Sequence, residues 1–168
     1  YQGKEKLYDY YYNHFGLGKY TGIELAESKG IIVPPTDVDA TNARYANMTF
    51  GQSLDLTMIQ VATAFSAVVN GGDYYTPTLV AGEVKNGEFL KKQLKERDHQ
   101  AIESSTSETM RKMLHQARLV FPNVKTYDDG VYVGGKTGTA QVVKNGKYTF
   151  DETIATYVGF GARSETDY

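Results

Sequence analysis

The 168-residue sequence contains no cysteine. That absence excludes thiol nucleophiles, zinc-thiolate sites and disulfides, and it leaves the redox compartment unreadable from pairing. Long apolar runs are also missing. The longest, Met58 to Val69, is interrupted by Gln60, Thr63 and Ser66 and falls short of the roughly 20 apolar residues that span a bilayer. The opening Tyr1-Gln2-Gly3-Lys4 carries no apolar h-region, so any targeting information is expected to lie elsewhere. Nor is there an excess of positive charge. With 18 Lys and Arg against 20 Asp and Glu, the formal charge is −2, and no basic stripe is available to neutralise phosphates, which argues against nucleic acid as a partner. His14, His99 and His115 are far apart without ligand spacing, so each reads as a surface or helix-end residue and no metal is expected.

What remains is an ordinary globular composition, 40% hydrophobic and 23% charged, in a length suited to one domain or most of one. Leu7, Tyr11 and Phe15 recur at helical spacing from about residue 4 and stop at Gly16, which reads as a glycine C-cap. Tyr8, Tyr10, Tyr11 and Tyr12 spread around that helix and are read as half-buried packing with wet hydroxyls. From Leu17 to Asn47 the pattern fades into a long surface loop, of the kind that is usually functional. Asp55 or Thr57 can cap a second helix running to about Asn70, apolar or small on every side from Val61 to Val68, the signature of a core helix. Asn86-Gly87 between Leu79 to Lys85 and Glu88 to Gln93 marks a hairpin with a type I′ turn. The Lys91-Lys92-x-x-Lys95-x-Arg97 run after it reads as a solvated surface. Ser105-x-x-Glu108 reads as a capping box opening a third helix, with Met110, Met113, Leu114 and Ala117 on one face and Pro122 beyond its end. Val131 to Val143 and Thr153 to Ala162 are expected to form an antiparallel pair turning near Asn145-Gly146.

The segment richest in chemistry is Gly134-Gly135-Lys136-Thr137-Gly138-Thr139-Ala140-Gln141. On an extended chain it offers an ammonium, a hydroxyl and a stretch of backbone without side chain. Lys136 can meet a carboxylate or a proton relay, Thr137 can donate a hydrogen bond, and Gly138 lets a substrate backbone come close. Such a strand can bind a peptide edge-on.

This segment resembles the Lys-Thr-Gly strand of the penicillin-binding transpeptidase and serine β-lactamase superfamily. Tyr157-Val158-Gly159-Phe160-Gly161 is similar to the strand that pairs with it. Thr49-Phe50-Gly51-Gln52-Ser53 through Gln60 to Asn70-Gly71-Gly72 resembles the Gly-Gln segment and following helix of class B enzymes. Phe15-Gly16-Leu17-Gly18 with Thr21-Gly22-Ile23-Glu24-Leu25 resembles the stretch after their Ser-x-Asn helix. The resemblance implies an α/β (α+β) domain of the β-lactamase/transpeptidase type, an antiparallel sheet flanked by helices, of which residues 1-168 would be the C-terminal portion. It also implies a serine acyl-enzyme route that cross-links peptidoglycan. The partners would be D-Ala-D-Ala stem peptides and β-lactams, no cofactor would be needed, and a membrane-anchored parent would work outside the cytoplasm, in a division or elongation complex. Carried onto matching residues, Lys136 would neighbour the catalytic pair and help anchor the substrate carboxylate. Thr137 would donate to that carboxylate, Gly138 would keep the surface open, and the Thr139 N-H would be half of the oxyanion hole.

Departures matter as much. No Ser-x-x-Lys and no Ser-x-Asn occurs in the sequence. The nearest look-alike, Thr109-x-x-Lys112, reads as an exposed helix face. Acyl transfer needs the serine and its lysine together, so this chain is expected to be inert by itself, and bare sheet edges would favour pairing with a second copy. Ser53, where the family usually has glycine, and Met58, where proline is common, bear on the subfamily; Phe50 tilts towards a division-type enzyme. Two other readings compete. A non-catalytic sensor or division scaffold of the same fold differs only in the unseen serine. A P-loop reading of Gly130-Val131-Tyr132-Val133-Gly134-Gly135-Lys136-Thr137 requires a helix after Lys136, where the residues favour a strand instead.

Overall fold

The computed structural model describes residues 2–93, 96–120, 131–144 and 146–163. Four α-helices and three antiparallel strand pairs are present among these residues, one helix (Asn42–Met48) and one pair (Asp73–Tyr74 with His99–Gln100) more than the sequence pattern predicts, in the mixed class that the resemblance implies.

Helix α1 spans Gln2–Asp9 and continues as a π-helical turn over Tyr10–His14. It ends where Gly16 takes φ +65°, a left-handed stop that glycine adopts without steric cost. The expected loop follows, but it is not a surface loop. Leu17, Ile32, Val33 and Ala40 are buried and form one core with Tyr45, Met48 and Ala64. A second helix, α2 (Asn42–Met48), interrupts the segment, with the Thr41 hydroxyl accepting from Arg44 N-H. Its seven residues are too few for a helical period to show in the sequence. Tyr45 on α2 donates its hydroxyl to Val33 O at 2.7 Å, and burial, ahead of nearby Tyr8 and Glu5, pushes its phenol up to about 12.

Helix α3 spans Met58–Val69 and is capped as expected, with Thr57 and Gln60 forming a reciprocal capping box. The expectation that it is buried all round needs correction. Gln60, Thr63, Ala64, Ala67 and Val69 are buried, whereas Ala62 and Ser66 are exposed. One side packs on the long loop and the next helix, and among the described residues the other side meets solvent. The buried Gln60 amide donates to the carbonyls of Lys19 and Lys29. It therefore staples the loop to α3, and removing a partner from such buried carbonyls costs about 1–3 kcal/mol each.

Strand β1 (Asp73–Tyr74) pairs with β4 (His99–Gln100), and β2 (Gly82–Lys85) pairs with β3 (Glu88–Lys91). Asn86 and Gly87 turn the second pair with φ of 53° and 83°, both positive as a type I′ turn requires. Lys92 and Arg97 are not merely solvated. Lys92 reaches Glu24 at 2.7 Å and Arg97 reaches Asp73 at 2.7 Å, because the chain after the hairpin folds back over the 21–27 loop; Lys95 lies outside the described residues.

Helix α4 spans Ser104–Leu119, with Glu103 at its N-cap and no side-chain cap bond. The expected capping box is not formed, since Ser105 lies inside the helix and Glu108 pairs with Lys112 at 2.7 Å. The buried face is Ser107, Arg111 and Leu114, while Met113 is exposed. Polar side chains occupy that face because they end the neighbouring helix. Ser107 Oγ donates to Val68 O at 2.7 Å and Arg111 to Val69 O at 3.1 Å, satisfying carbonyls that a helix C-terminus leaves open. The expected Pro122 stop lies outside the described residues.

Strands β5 (Tyr132–Lys144) and β6 (Lys147–Ala162) form a long hairpin, with register from Tyr132↔Ala162 to Lys144↔Lys147 and a bulge between Gln141 and Val143. The second strand starts six residues before the expected Thr153. Among the described residues no helix is long and apolar enough to cross a membrane.

Glu24 offers a test of the loop clasp. Its carboxylate accepts from Lys92, Thr78 and Leu79 N-H, in that order of effect, and these bonds hold it down from 4.5 to about 2. A depressed carboxylate stabilises the fold above its unfolded value and loses that contribution as pH falls through the folded one. Stability should therefore decline between about pH 4.5 and 2, and the decline should be shallower in Lys92→Met, as read by urea midpoints across that window.

Candidate functional site

Strand β5 brings Lys136, Thr137, Gly138 and Thr139 into one extended run, each paired across to β6: Lys136↔Val158, Thr137↔Tyr157, Gly138↔Thr156 and Thr139↔Ala155. Lys136, Thr137 and Thr139 are exposed. The segment is a strand on both sides of Lys136, so the helix required by a nucleotide-binding P-loop is absent, and that reading is overturned; Tyr127 to Gly130 lie outside the described residues.

In a strand, successive side chains leave opposite faces. Lys136 thus shares a face with Gly134, and Thr137 and Thr139 share the other with Gly135. The lysine and the two threonines therefore leave the strand on opposite faces. Lys136 Nζ bends over to donate to Thr137 O at 2.9 Å. The direction of the backbone groups follows from register. Gly134 O lies against Gly159 and Val158 O lies against Gly135, so even-numbered residues of β5 bond towards β6. The N-H and C=O groups of Val133, Gly135, Thr137 and Thr139 point the other way, to an edge that pairs with no strand among the described residues.

Helix α4 holds this strand. Gly134 is buried, and a Cβ there would collide with the Phe160 ring and stand 3.0 Å from His115 N, so the absent side chain is what lets the helix backbone come so near. His115 Nδ1 meets Val133 O at 2.6 Å. A carbonyl can only accept, so the histidine donates from Nδ1. Its ring stacks on Tyr132 at 4.3 Å between centroids. On the opposite face Arg118 donates to Tyr157 OH at 3.3 Å. Reading His115 as an ordinary helix-end residue missed this contact; a histidine on a helix preceding a glycine-rich strand carries no sequence signal of what it touches. The other two histidines, distant in sequence, are neighbours: His99 Nε2 donates to His14 O and His14 Nδ1 to Ala101 O, both at 2.9 Å. Among the described residues no three His, Asp or Glu side chains converge to hold a metal.

The hairpin's far end meets the 49–53 loop. Ser53 Oγ and Tyr148 OH share a hydrogen bond of 3.1 Å, and Ser53 holds φ +62°. A non-glycine residue is uncommon there, which gives the physical reason glycine suits this position. Thr109 and Lys112 are an exposed helix face as expected, bonded to Ser105 O and Glu108. An apolar hollow of about 300 Å³ lined by Gly22, Glu24, Tyr75, Pro77, Thr78 and Lys92 includes no residue of β5 or β6.

The arrangement is a helix-backed antiparallel strand carrying Lys-Thr-Gly-Thr, with one edge that pairs with no strand among the described residues. Comparison with known proteins places it further. The family model "Penicillin binding protein transpeptidase domain" matches residues 2–168. Stage V sporulation protein D of Bacillus subtilis is 38% identical over 94% of this chain and 24% of its own length. Penicillin-binding protein PbpB of Mycobacterium tuberculosis is 28% identical over 99% of this chain and 26% of its own. The crystal structure of penicillin binding protein 3 from that organism, complexed with ampicillin, superposes with a TM-score of 0.79 at 27% identity, covering 97% of this chain and 37% of that one. The chain belongs to the penicillin-binding protein transpeptidase domain family, and its relatives are class B members. It spans about a quarter of the length of the curated relatives it matches.

The close approach at Gly134 predicts an asymmetry between strand glycines. Gly134→Ala should destabilise by roughly 1–3 kcal/mol, as overpacking does. Gly161→Ala should cost much less, because its Cβ would meet only Val133 Cγ1 at 3.6 Å. Urea unfolding of the two variants measures the difference.

Proposed function

We propose that this chain is the C-terminal portion of a peptidoglycan D,D-transpeptidase domain and supplies its substrate-binding strand. The observation that carries the reading is the open edge of β5, with Lys136, Thr137 and Thr139 exposed along it. A stem peptide ending in D-Ala-D-Ala lies along that edge. The Thr137 hydroxyl and the Lys136 ammonium hold its terminal carboxylate, and Gly138 leaves room for its backbone. The Thr139 N-H stabilises the oxyanion as a serine outside these 168 residues attacks the penultimate carbonyl. The serine ester forms, the terminal D-alanine leaves, and a second peptide's amine completes the cross-link. Because a β-lactam carries the same carboxylate and acyl carbonyl, it takes the same place. The roles of the partner segment, the membrane anchor and the extracytoplasmic location belong to the longer protein that this reading infers.

Fluorescent penicillin tests the assignment. The longer gene product, with its Ser-x-x-Lys segment, should be labelled covalently, and the 168-residue chain alone should not; labelling of the isolated chain overturns the division of roles. In the longer protein, Thr137→Val should slow acylation about 10- to 100-fold, the worth of one hydrogen bond to a charged group. An unchanged rate removes Thr137 from the site. The bare strand edges also predict self-pairing of the isolated chain, visible as a concentration-dependent sedimentation coefficient; a strictly monomeric profile at high concentration counts against it.

A further inference from the structure

The hollow of about 300 Å³ beside the 21–27 loop is lined mainly by apolar surface and takes no part in the strand edge. Its walls are braced from behind. Gly22 N-H donates to Glu27 at 2.8 Å, and Thr76 donates both its N-H and its hydroxyl to Asp98 at 2.6 Å. Opposite them, Glu24 accepts from Leu79 N-H at 2.9 Å, from Lys92 at 2.7 Å and from the Thr78 hydroxyl. A concavity tied down on all these segments is preformed, as sites for ligands and anchor side chains usually are.

The bracing groups are carboxylates, and this sets the charge of the hollow. Glu24 is held down to about 2, chiefly by Lys92, and Glu27 is held low, chiefly by Thr21 N-H, so both stay ionised. Lys92 offsets Glu24, but the remaining lining carboxylate, Glu96, has no ion pair among the described residues. The lining thus carries two acidic groups against one ammonium, with Glu27 and Asp98 behind it. Such a field attracts a cation and repels an anion. Tyr75, 45% exposed, adds a ring on which a planar guanidinium can stack. Arg97, which interacts electrostatically with Tyr75, is itself paired with Asp73. Around the mouth, within two residues of the lining, Tyr20, Leu25, Leu79 and Val80 are exposed. An apolar rim about a small pocket is the form of a protein-protein anchor site, and arginine is enriched among anchors.

We propose that this hollow is a docking site for a partner protein, which inserts one arginine flanked by apolar residues. The guanidinium lies on Tyr75 with Glu96 as its counter-ion, and the flanking residues rest on the rim at Leu25 and Leu79. Arginine suits the place better than lysine because its flat fork can stack and bond a carboxylate through two N-H groups at once. The assignment is independent of the roles given to β5.

Titration of the ¹⁵N-labelled 168-residue chain tests it, followed at the Gly22, Thr76 and Thr78 amides, with Thr137 and Thr139 as the reference for binding elsewhere. The probes are the acetylated and amidated tripeptides Leu-Arg-Leu, Leu-Lys-Leu, Leu-Gln-Leu and Leu-Glu-Leu, together with acetylarginine methylamide. Leu-Arg-Leu should bind roughly tenfold or more tightly than Leu-Gln-Leu, with Leu-Lys-Leu between them, and Leu-Glu-Leu should move none of the three amides. Acetylarginine methylamide should bind about fivefold or more weakly than Leu-Arg-Leu, since it lacks the residues that meet the rim. Equal affinity of these two would make the hollow a site for free cations and overturn the partner assignment. In Glu96→Gln the preference for Leu-Arg-Leu over Leu-Gln-Leu should fall to within about twofold, and Glu96→Asp should keep about threefold or more of it. Glu96 is exposed and makes no ion pair among the described residues, so neither variant removes a brace of the fold. A preference unchanged in Glu96→Gln overturns the inference. So does equal binding of Leu-Arg-Leu and Leu-Gln-Leu by the wild type, or a set of shifts confined to Thr137 and Thr139. None of the probes ends in D-Ala-D-Ala, so failure here leaves the reading of the β5 edge as it stands.

Discussion

The site depends on how near one helix can stand to one strand. Gly134 presents no side chain to α4; a Cβ there would fall on the Phe160 ring and stand 3.0 Å from His115 N. From that approach follow the bond from His115 to Val133 O and the stack on Tyr132. Phe160, paired with Gly134 on β6, lies 6.1 Å from the Tyr132 ring and 6.5 Å from Phe65 of α3. Aromatic rings at such separations favour tilted contacts. The hairpin is thereby fixed to both central helices on one face, while the outer edge of β5 pairs with no strand among the described residues. A binding edge needs both properties, since a strand free to slip would lose its register and a covered one could not accept a peptide.

The helices that provide this backing are also locked by buried polar groups. Gln60, Ser107 and Arg111 are almost wholly inaccessible, and each ends on a backbone carbonyl of another element. Gln60 ties the long loop to α3; Ser107 and Arg111 tie α4 to the end of α3. Unlike apolar contacts, these bonds have direction. They specify how α3 and α4 are rotated about their axes, and the rotation of α4 is what turns His115 towards β5.

At the other end of the hairpin the chain accepts local strain. Ser53 sits in the left-handed region at a cost of order 1–2 kcal/mol relative to glycine, and its hydroxyl bonds to Tyr148. The 49–53 loop, with Phe50 exposed on it, is held against the β5–β6 turn.

Much was legible in the residues themselves. The Asn86-Gly87 turn and a cap at Thr57, one of the two candidates with Asp55, are local signals, and both formed. The Lys136 to Thr139 run was recognisable as a strand because glycine, threonine and valine disfavour a helix whatever surrounds them. Helix α2 was hidden by its shortness, the buried polar face of α4 by its ordinary helical composition, and the capping box at Ser105 misled because Ser107 was needed inside. Which of two possible faces a helix buries, which carbonyl a histidine meets, and which edge of a strand stays open depend on contacts between residues tens of positions apart. The sequence by itself determined the elements and the residue types on β5; only the tertiary structure decided which backbone N-H and C=O groups of that strand face away from β6, because backbone direction is set by pairing.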